Sequence, residues 1–359
     1  MNMNYIRFTN VDIHEISARI SRGVMGSKFE QKVNLSEWLL TDGATGTNLF
    51  DMGLMSGDAP ELWNEKYPEK ITKLHKDAVD AGSDIFLTNS FGSNALRLKL
   101  HNCGNRAFDL SKMSAQLARD VADTYTKEVF VAGSVGPTGE IMQPIGELSH
   151  ELAVEVFHEQ AVGLKEGGAD LLWLETISAP EEFKAAAEAF SYIELPWVGT
   201  MSFDTAGRTM MGTSPAGMVE LISLIPNKPL AFGANCGTGA PDLIRTVQDF
   251  AKSSPKSFLI AKGNAGIPKY VDGHILYDGT PELMAKYAVM ARNSGAKIIG
   301  GCCGTKSEHL LSMRTALENE DLGSVPSLRQ VELEIGTFSG QIRKDKEKQT
   351  PKRRRRREA

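Results

Sequence analysis

The chain has 359 residues, 41% of them apolar and 24% charged, close to an ordinary globular protein, which excludes a fibrous repeat or a wholly disordered chain. No apolar run approaches the roughly 18 to 20 residues of a spanning helix, and the N-terminus lacks the basic start and apolar centre of a secretion signal, so a cytoplasmic address is expected. The net charge of −5 is uneven: residues 343–359 carry ten bases against three acids, leaving −12 for residues 1–342, an acidic body that makes a poor nucleic-acid surface.

Residues 1–36 mix acids and bases around Ile13, Ile16 and Ile20, the pattern of a short amphipathic packing extension rather than an acid-poor transit peptide. From residue 37 to 318, eight short β-rich runs alternate with longer stretches of helical period. The runs are Leu39 to Thr41, Ile85 to Thr88, Val129 to Ala132, Leu171 to Thr176, Trp197 to Met201, Ala231 to Ala234, Phe258 to Ala261 and Ile298 to Gly300. Between them, apolar residues recur at three- and four-residue spacing, as in Ile71, Leu74, Ala78 and Val79, or Leu152, Val156, Phe157, Gln160 and Leu164. Three of these helices are expected to stop on glycine before the next strand, at Gly82, Gly168 and Gly295, one βα device used repeatedly. Residues 319–359 form a C-terminal extension whose basic end, Lys352 to Arg357, reads as solvated and disordered.

The alternation implies parallel βα units, and the fold class read from it is α/β, a single (β/α)8 TIM barrel. An open doubly wound sheet is the other arrangement of such units. Its glycine-rich phosphate turn is matched only in part by Gly43-Ala-Thr-Gly46, so the barrel is preferred.

A barrel assembles its chemistry at the C-terminal ends of its strands. Those ends offer, in order, Asp42, Asn89, Ser134, Glu175, Ser202, Asn235-Cys236, Asn264 and Cys302-Cys303. For Asn89, Ser202 and Asn264 a helix cap or a solvated strand end accounts for the residue as well as a site does.

The thiols are different. Four cysteines are too few for a disulfide scaffold, and two of them are adjacent. Cys103 reads as a small buried hydrophobe. Cys236, Cys302 and Cys303 fall on the same rim, each beside glycine, and the glycines let two consecutive side chains turn to one point. Three thiolates suit zinc in tetrahedral geometry with the fourth position open, whereas a zinc finger would need a fourth protein ligand. The seven histidines supply no clear one: His75 and His158 lie on expected helices, and His101, His150, His274 and His309 in loops or at helix starts. A redox-active dithiol and a copper(I) site compete with zinc. Three thiolates on Zn²⁺ leave a net −1, a poor activator of water but a suitable holder of a fourth, substrate thiolate, which points to alkyl transfer to sulfur.

The stretches Thr41-Asp-Gly-Ala-Thr-Gly-Thr47, Leu87-Thr-Asn-Ser-Phe-Gly92, Gly133-Ser-Val-Gly-Pro-Thr-Gly139, Leu174-Glu-Thr176, Gly233-Ala-Asn-Cys-Gly237 and Gly300-Gly-Cys-Cys-Gly-Thr305 resemble the homocysteine S-methyltransferase family from about residue 38 to 318. That family includes betaine–homocysteine methyltransferase and the homocysteine module of cobalamin-dependent methionine synthase. The resemblance implies that Cys236, Cys302 and Cys303 hold Zn²⁺ and receive the homocysteine sulfur. It implies that Glu175 meets the homocysteine ammonium, with Asn235 beside the thiols, and that the backbone of Gly43, Ala44 and Thr45 near Asp42 holds the carboxylate.

For the methyl donor, Trp63 and Phe91 fall where betaine-using relatives place aromatic residues, which implies glycine betaine or a related onium compound held on aromatic faces. Two further aromatic positions of those relatives are Gly92 and Thr176 here. The other reading is a homocysteine-activating subunit that takes its methyl group from a separate corrinoid protein. A third is a zinc-thiolate module that binds without turnover. No membrane partner is expected, and self-association is left open.

Overall fold

The computed structural model describes residues 26–339 apart from 205, 267–268 and 272–273. Ile13, Ile16 and Ile20 and the basic tail lie outside the described residues. Eight parallel strands form the sheet: β1 (Leu39–Leu40), β2 (Ile85–Leu87), β3 (Phe130–Val135), β4 (Leu171–Ile177), β5 (Trp197–Met201), β6 (Ala231–Cys236), β7 (Phe258–Gly263) and β8 (Ala296–Gly301). They run in the order β1-β8-β7-β6-β5-β4-β3-β2. A parallel bridge between Thr41 and Ile85 brings the two ends of that order together. The Asp84 side chain reinforces the seam, accepting the Leu40 N–H at 3.0 Å, while the Asp84 N–H donates to the Leu40 carbonyl at 2.7 Å. The sheet is thereby a (β/α)8 barrel, the architecture expected from the alternation.

Helix α1 (Lys28–Leu35) precedes the barrel, and α2 (Pro68–Asp80), α3 (Ala107–Ala122), α4 (His150–Glu166), α5 (Pro180–Ser191), α6 (Pro215–Leu224), α7 (Ala240–Ser253), α8 (Pro281–Asn293) and α9 (Ser307–Asn319) follow the eight strands in turn. A last helix, α10 (Leu328–Ile335), is followed by Phe338, which packs against the Arg245 guanidinium of α7. A short antiparallel hairpin, Lys269–Val271 with His274–Leu276, follows β7.

The outer helices form where the apolar spacing predicts them. Helix α2 buries Ile71, Leu74, Ala78 and Val79 along one stripe. In α4 the buried stripe takes in Ala153, Val156, Phe157, Gln160 and Leu164, but Leu152 is exposed. Leu152 stands in the first turn, where Ser149 caps the helix by accepting its N–H, and the apolar stripe begins one residue later. The predicted glycine stops are present, with φ of +106° at Gly82, +97° at Gly168 and +103° at Gly295, a region open to glycine but not to most side chains.

Inside the barrel, strand pleating sends alternate residues to the axis. The interior cluster holds Leu39, Ile85, Leu87, Phe130, Ala132, Leu171, Trp173, Val198, Ala231, Ile260 and Ile298. Phe29 and Val33 of α1 belong to the same cluster, and Phe29 meets Phe130 edge-on at 5.3 Å. Helix α1 is therefore a plug for the barrel floor, and it carries its own capping box at Ser27 and Glu30. Residues 28–35 lie at the end of the stretch expected to be a packing extension; the part read around Ile13, Ile16 and Ile20 lies outside the described residues.

Phe29→Ala removes a fully buried ring from the plug and is expected to destabilise the fold by about 3–5 kcal/mol, measured by chemical denaturation. A loss below about 1 kcal/mol would show that α1 contributes little to the core.

Candidate active site

The three thiols predicted to converge do so. The sulfurs of Cys236, Cys302 and Cys303 all lie within 4.8 Å of one another, with Cys236 and Cys303 separated by 3.9 Å. Sulfurs bound tetrahedrally to one zinc ion at about 2.3 Å would stand about 3.8 Å apart. The donor set thus fits a single soft divalent ion.

Backbone geometry brings them there. Cys236 ends β6 with φ of +61°, outside the extended range, so its side chain leaves the strand's regular alternation. Strand β8 stops at Gly301. The Cys302 N–H still donates to the Gly263 carbonyl of β7, at 2.7 Å, but the next N–H, from Cys303, donates to the side chain of Asn264 at 3.0 Å. Asn264 also donates to Cys236 Sγ at 3.7 Å and to the Gly237 carbonyl at 2.9 Å, so one amide ties both thiol-bearing loops. Asn235 does the same on the inner side: it donates to Cys302 Sγ at 3.8 Å and exchanges hydrogen bonds with Thr176.

Charge makes the cluster unstable as three free thiolates. At Cys236 a hydrogen bond with Cys302 favours ionisation, but the bond to Cys303, burial and the neighbouring sulfur's charge outweigh it and push the thiol up to about 12. Cys303 reaches about 12 as well: its bond to Cys236 favours ionisation, and its bond to Cys302, burial and the Cys302 charge oppose it. Like charges at this spacing need a cation among them.

Below the thiols lies a polar layer. Glu175 and Ser134 continue the inward-facing series on β4 and β3, and Ser134 Oγ donates to Glu175 Oε1 at 2.5 Å. Burial pushes the Glu175 carboxyl above its usual range and Asp42 adds to this, while the Lys262 ammonium and the Ser134 hydroxyl oppose them. Glu175 and Thr176 interrupt the β4–β5 register, and Thr176 has φ of +61°, a strained conformation for a β-branched residue. Asn235 holds it there.

The Asp42 to Thr45 turn lies against the Cys302-Cys303 loop. A side chain at Gly43 would begin 2.6 Å from the Thr305 carbonyl oxygen, so the approach requires glycine. The Ala44 N–H donates to the same oxygen at 3.1 Å, and the Gly304 N–H donates to Thr47 Oγ1 at 3.0 Å. Asp42 is expected near the backbone that holds a substrate carboxylate. Its own carboxylate accepts from the Leu87 N–H and from Lys262 Nζ, both at 2.8 Å.

Trp63 and Phe91 are placed differently from the thiols. Trp63 is buried among Leu49, Leu54, Ile71 and Leu74 and meets Tyr67 edge-on. The Lys70 ammonium stands 4.5 Å from its ring centroid, anchored by the Met52 carbonyl. Phe91 packs on the backbone at Gly136, with the Arg97 guanidinium 5.7 Å from its ring. Each aromatic face already meets a cation of the protein.

Two residues of the site were not singled out from sequence. Lys262 is a buried lysine whose signal was plain, a charge within the apolar run Phe-Leu-Ile-Ala-Lys-Gly of β7. Tyr277 gave no signal. It is half-buried beside Gly304, and burial and the nearby Cys303 push its hydroxyl up.

A cavity of about 210 Å³ opens beside the site, between α2 and the start of α9, lined by Asp42 to Thr45, Asn48, His75 and Lys306 among others. No thiol lines it. His75 is buried on its wall, tilted against Phe86.

A barrel whose mouth carries three convergent thiols over a buried carboxylate defines a class of metal-capable, thiol-lined active sites. A profile of the homocysteine S-methyltransferase family matches residues 39–317, and the chain belongs to that family. Methionine synthase of Mycobacterium leprae is 28% identical over 306 residues, which take in 80% of this chain and 25% of that protein. The chain therefore spans about a quarter of that relative's length. Among solved structures, the homocysteine methyltransferase MmuM of Escherichia coli in its oxidized form superposes with a TM-score of 0.66 at 25% identity, covering 79% of this chain and 97% of that one. Its metallated form gives 0.66 at 24% identity, with 79% and 98% covered.

His75 supplies a test of the packing beside the site. Burial lowers its pKa to about 4, with Asp42 opposing, so the folded chain holds it neutral while the unfolded chain binds a proton below about 6.5. Stability is unaffected above that pH, falls as pH drops from about 6.5 to 4, and by pH 4 has lost about 3 kcal/mol from this group. His75→Gln should flatten that part of the stability–pH curve, followed by urea denaturation; an unchanged slope would contradict the buried neutral ring.

Proposed function

We propose that the chain methylates the sulfur of homocysteine to give methionine, with a zinc ion held by Cys236, Cys302 and Cys303. The observation that carries this reading is the meeting of three thiols, from the ends of β6 and β8, at the mouth of a barrel that also buries Glu175. The similarity to the homocysteine methyltransferase MmuM of Escherichia coli supports it. Zinc bound there would take the substrate sulfur as a thiolate and present it, electron-rich, to an electrophilic methyl group.

The chain's own residues do the rest. Glu175, fixed on one side by Ser134, accepts the substrate ammonium, a charge-assisted bond in a buried setting. Since the Ala44 N–H is committed to Thr305, the substrate carboxylate is met by the N–H groups of Gly43 and Thr45 on either side. Asn235 and Asn264 orient the thiols through weak N–H···S bonds and fix the loops that carry them. The methyl group leaves the donor for sulfur without its bonding electron pair, and the donor departs with that pair, so no base is needed at the reacting carbon.

The donor is a small onium compound of the glycine betaine class. A corrinoid protein is the second reading. It is favoured by the match to part of a methionine synthase and by the protein's own cations on the Trp63 and Phe91 rings.

Cys302→Ala is expected to lose most of the bound zinc and all transfer, because two thiolates hold the ion far less firmly than three. Zinc stoichiometry by mass spectrometry checks this, and a full equivalent retained with normal turnover would remove the metal assignment. Zinc-loaded protein given homocysteine and glycine betaine should form methionine. Turnover only with methylcobalamin or a methylated corrinoid protein would replace the onium donor, and binding of homocysteine without turnover on any donor would leave a binding module.

A further inference from the structure

Lys262 is only 2% exposed, and nothing in the transfer of a methyl group to sulfur calls for a lysine. A buried ammonium is costly unless it is paired, so its surroundings should explain it. Nζ donates to Asp42 Oδ1 at 2.8 Å and lies 5.2 Å from the Trp173 ring. Burial works against its charge, but Asp42 and Glu175, with Cys302 behind them, more than offset that and hold it protonated.

Position along the strands shows what this pair is part of. Ile260 and Trp173 face the barrel axis, so Lys262 and Glu175, each two residues on, face it as well, one layer higher. That layer also takes in Asp42 through its bond to Lys262, with Cys302 near enough for its charge to act on the lysine. Asp42 is already fixed by the Leu87 N–H and the Thr41 hydroxyl, which would serve a purely structural anchor. What the lysine adds is charge. Two buried carboxylates facing each other without a cation would not both stay ionised. The cation is hydrogen-bonded to Asp42, whereas Glu175 Oε1 accepts from the Ser134 hydroxyl.

We propose that Lys262 is a positioning residue that makes the site selective for amino-acid thiols. Its ammonium cancels one of two buried carboxylates, so that Asp42, Glu175 and Lys262 together carry a single negative charge. One substrate ammonium neutralises that charge; a thiol lacking the amino group leaves it buried and unpaired. The inference rests on the homocysteine reading and deepens it, because it assigns the origin of the ammonium requirement.

The test compares homocysteine with 4-mercaptobutanoate, which keeps the thiol and carboxylate and lacks the amine, on the full zinc-loaded chain. Calorimetric binding and methyl-acceptor kinetics are both read. In Lys262→Met the preference for homocysteine should fall by about tenfold or more, with the loss carried by KM and by calorimetric affinity rather than by kcat. The double variant Asp42→Asn with Lys262→Met leaves Glu175 as the layer's one charge and should regain most of the preference. It also carries the test if the single variant does not fold. Equal losses for both thiols or an unchanged preference in Lys262→Met, or a preference not regained in the double variant, would overturn the inference while leaving the functional reading intact. A wild-type chain that binds no homocysteine would overturn both.

Discussion

Adjacent side chains on a pleated strand face opposite ways, so two consecutive cysteines can share a target only where pleating ends. The structure satisfies that constraint at one place. Cys302 keeps the last ladder bond to β7, and Cys303 gives its N–H to the Asn264 side chain instead. The Thr305 N–H then closes a turn on the Cys302 carbonyl, with φ of +77° at Gly304 between them. The thiol site, the polar layer below it and the docked Asp42 to Thr45 turn all follow from this change of partner. Strand β8 lends its last bonds to β7, and its loop lends the Thr305 carbonyl to the turn after β1.

The same loops are braced where the backbone is least comfortable. Thr176 and Cys236 both have positive φ, and both contact an asparagine that also touches a sulfur or its loop. Strained residues persist where surrounding bonds over-determine them. Asn235 and Asn264 supply that over-determination at the rim, and α1 supplies support from below, since Phe29 and Val33 close the barrel under Trp173. The interior is thus graded from aromatic packing at the floor, through one charged layer, to sulfur at the mouth.

Much of this was legible in the sequence, and the parts that were not have a common cause. Strand positions and the convergence of Cys236, Cys302 and Cys303 follow from period and topology, which are properties of the chain order. Asn264 read equally as a helix cap, because its role depends on two loops brought alongside it by the barrel. The partner of Asp42 was missed because Lys262 lies two strands away around the barrel, although a lysine within the apolar run of β7 marked the place. Leu152 was assigned to a buried face because the apolar period continues through it, while the cap at Ser149 sets where the helix meets the core.

The aromatic residues show the limit of reading a ligand from residue type. An onium ion binds an aromatic face through the ring's negative quadrupole, and a lysine or guanidinium uses the same attraction. At Trp63 the Lys70 ammonium is tethered by the chain and by the Met52 carbonyl, so a free donor competes against a cation present at high effective concentration. Arg97 stands in the same relation to Phe91. For either ring to receive a donor, its resident cation has to be displaced into solvent. A cation cage is therefore defined by an aromatic face together with the absence of a competing tethered charge, and neither ring meets both conditions in this arrangement of the loops.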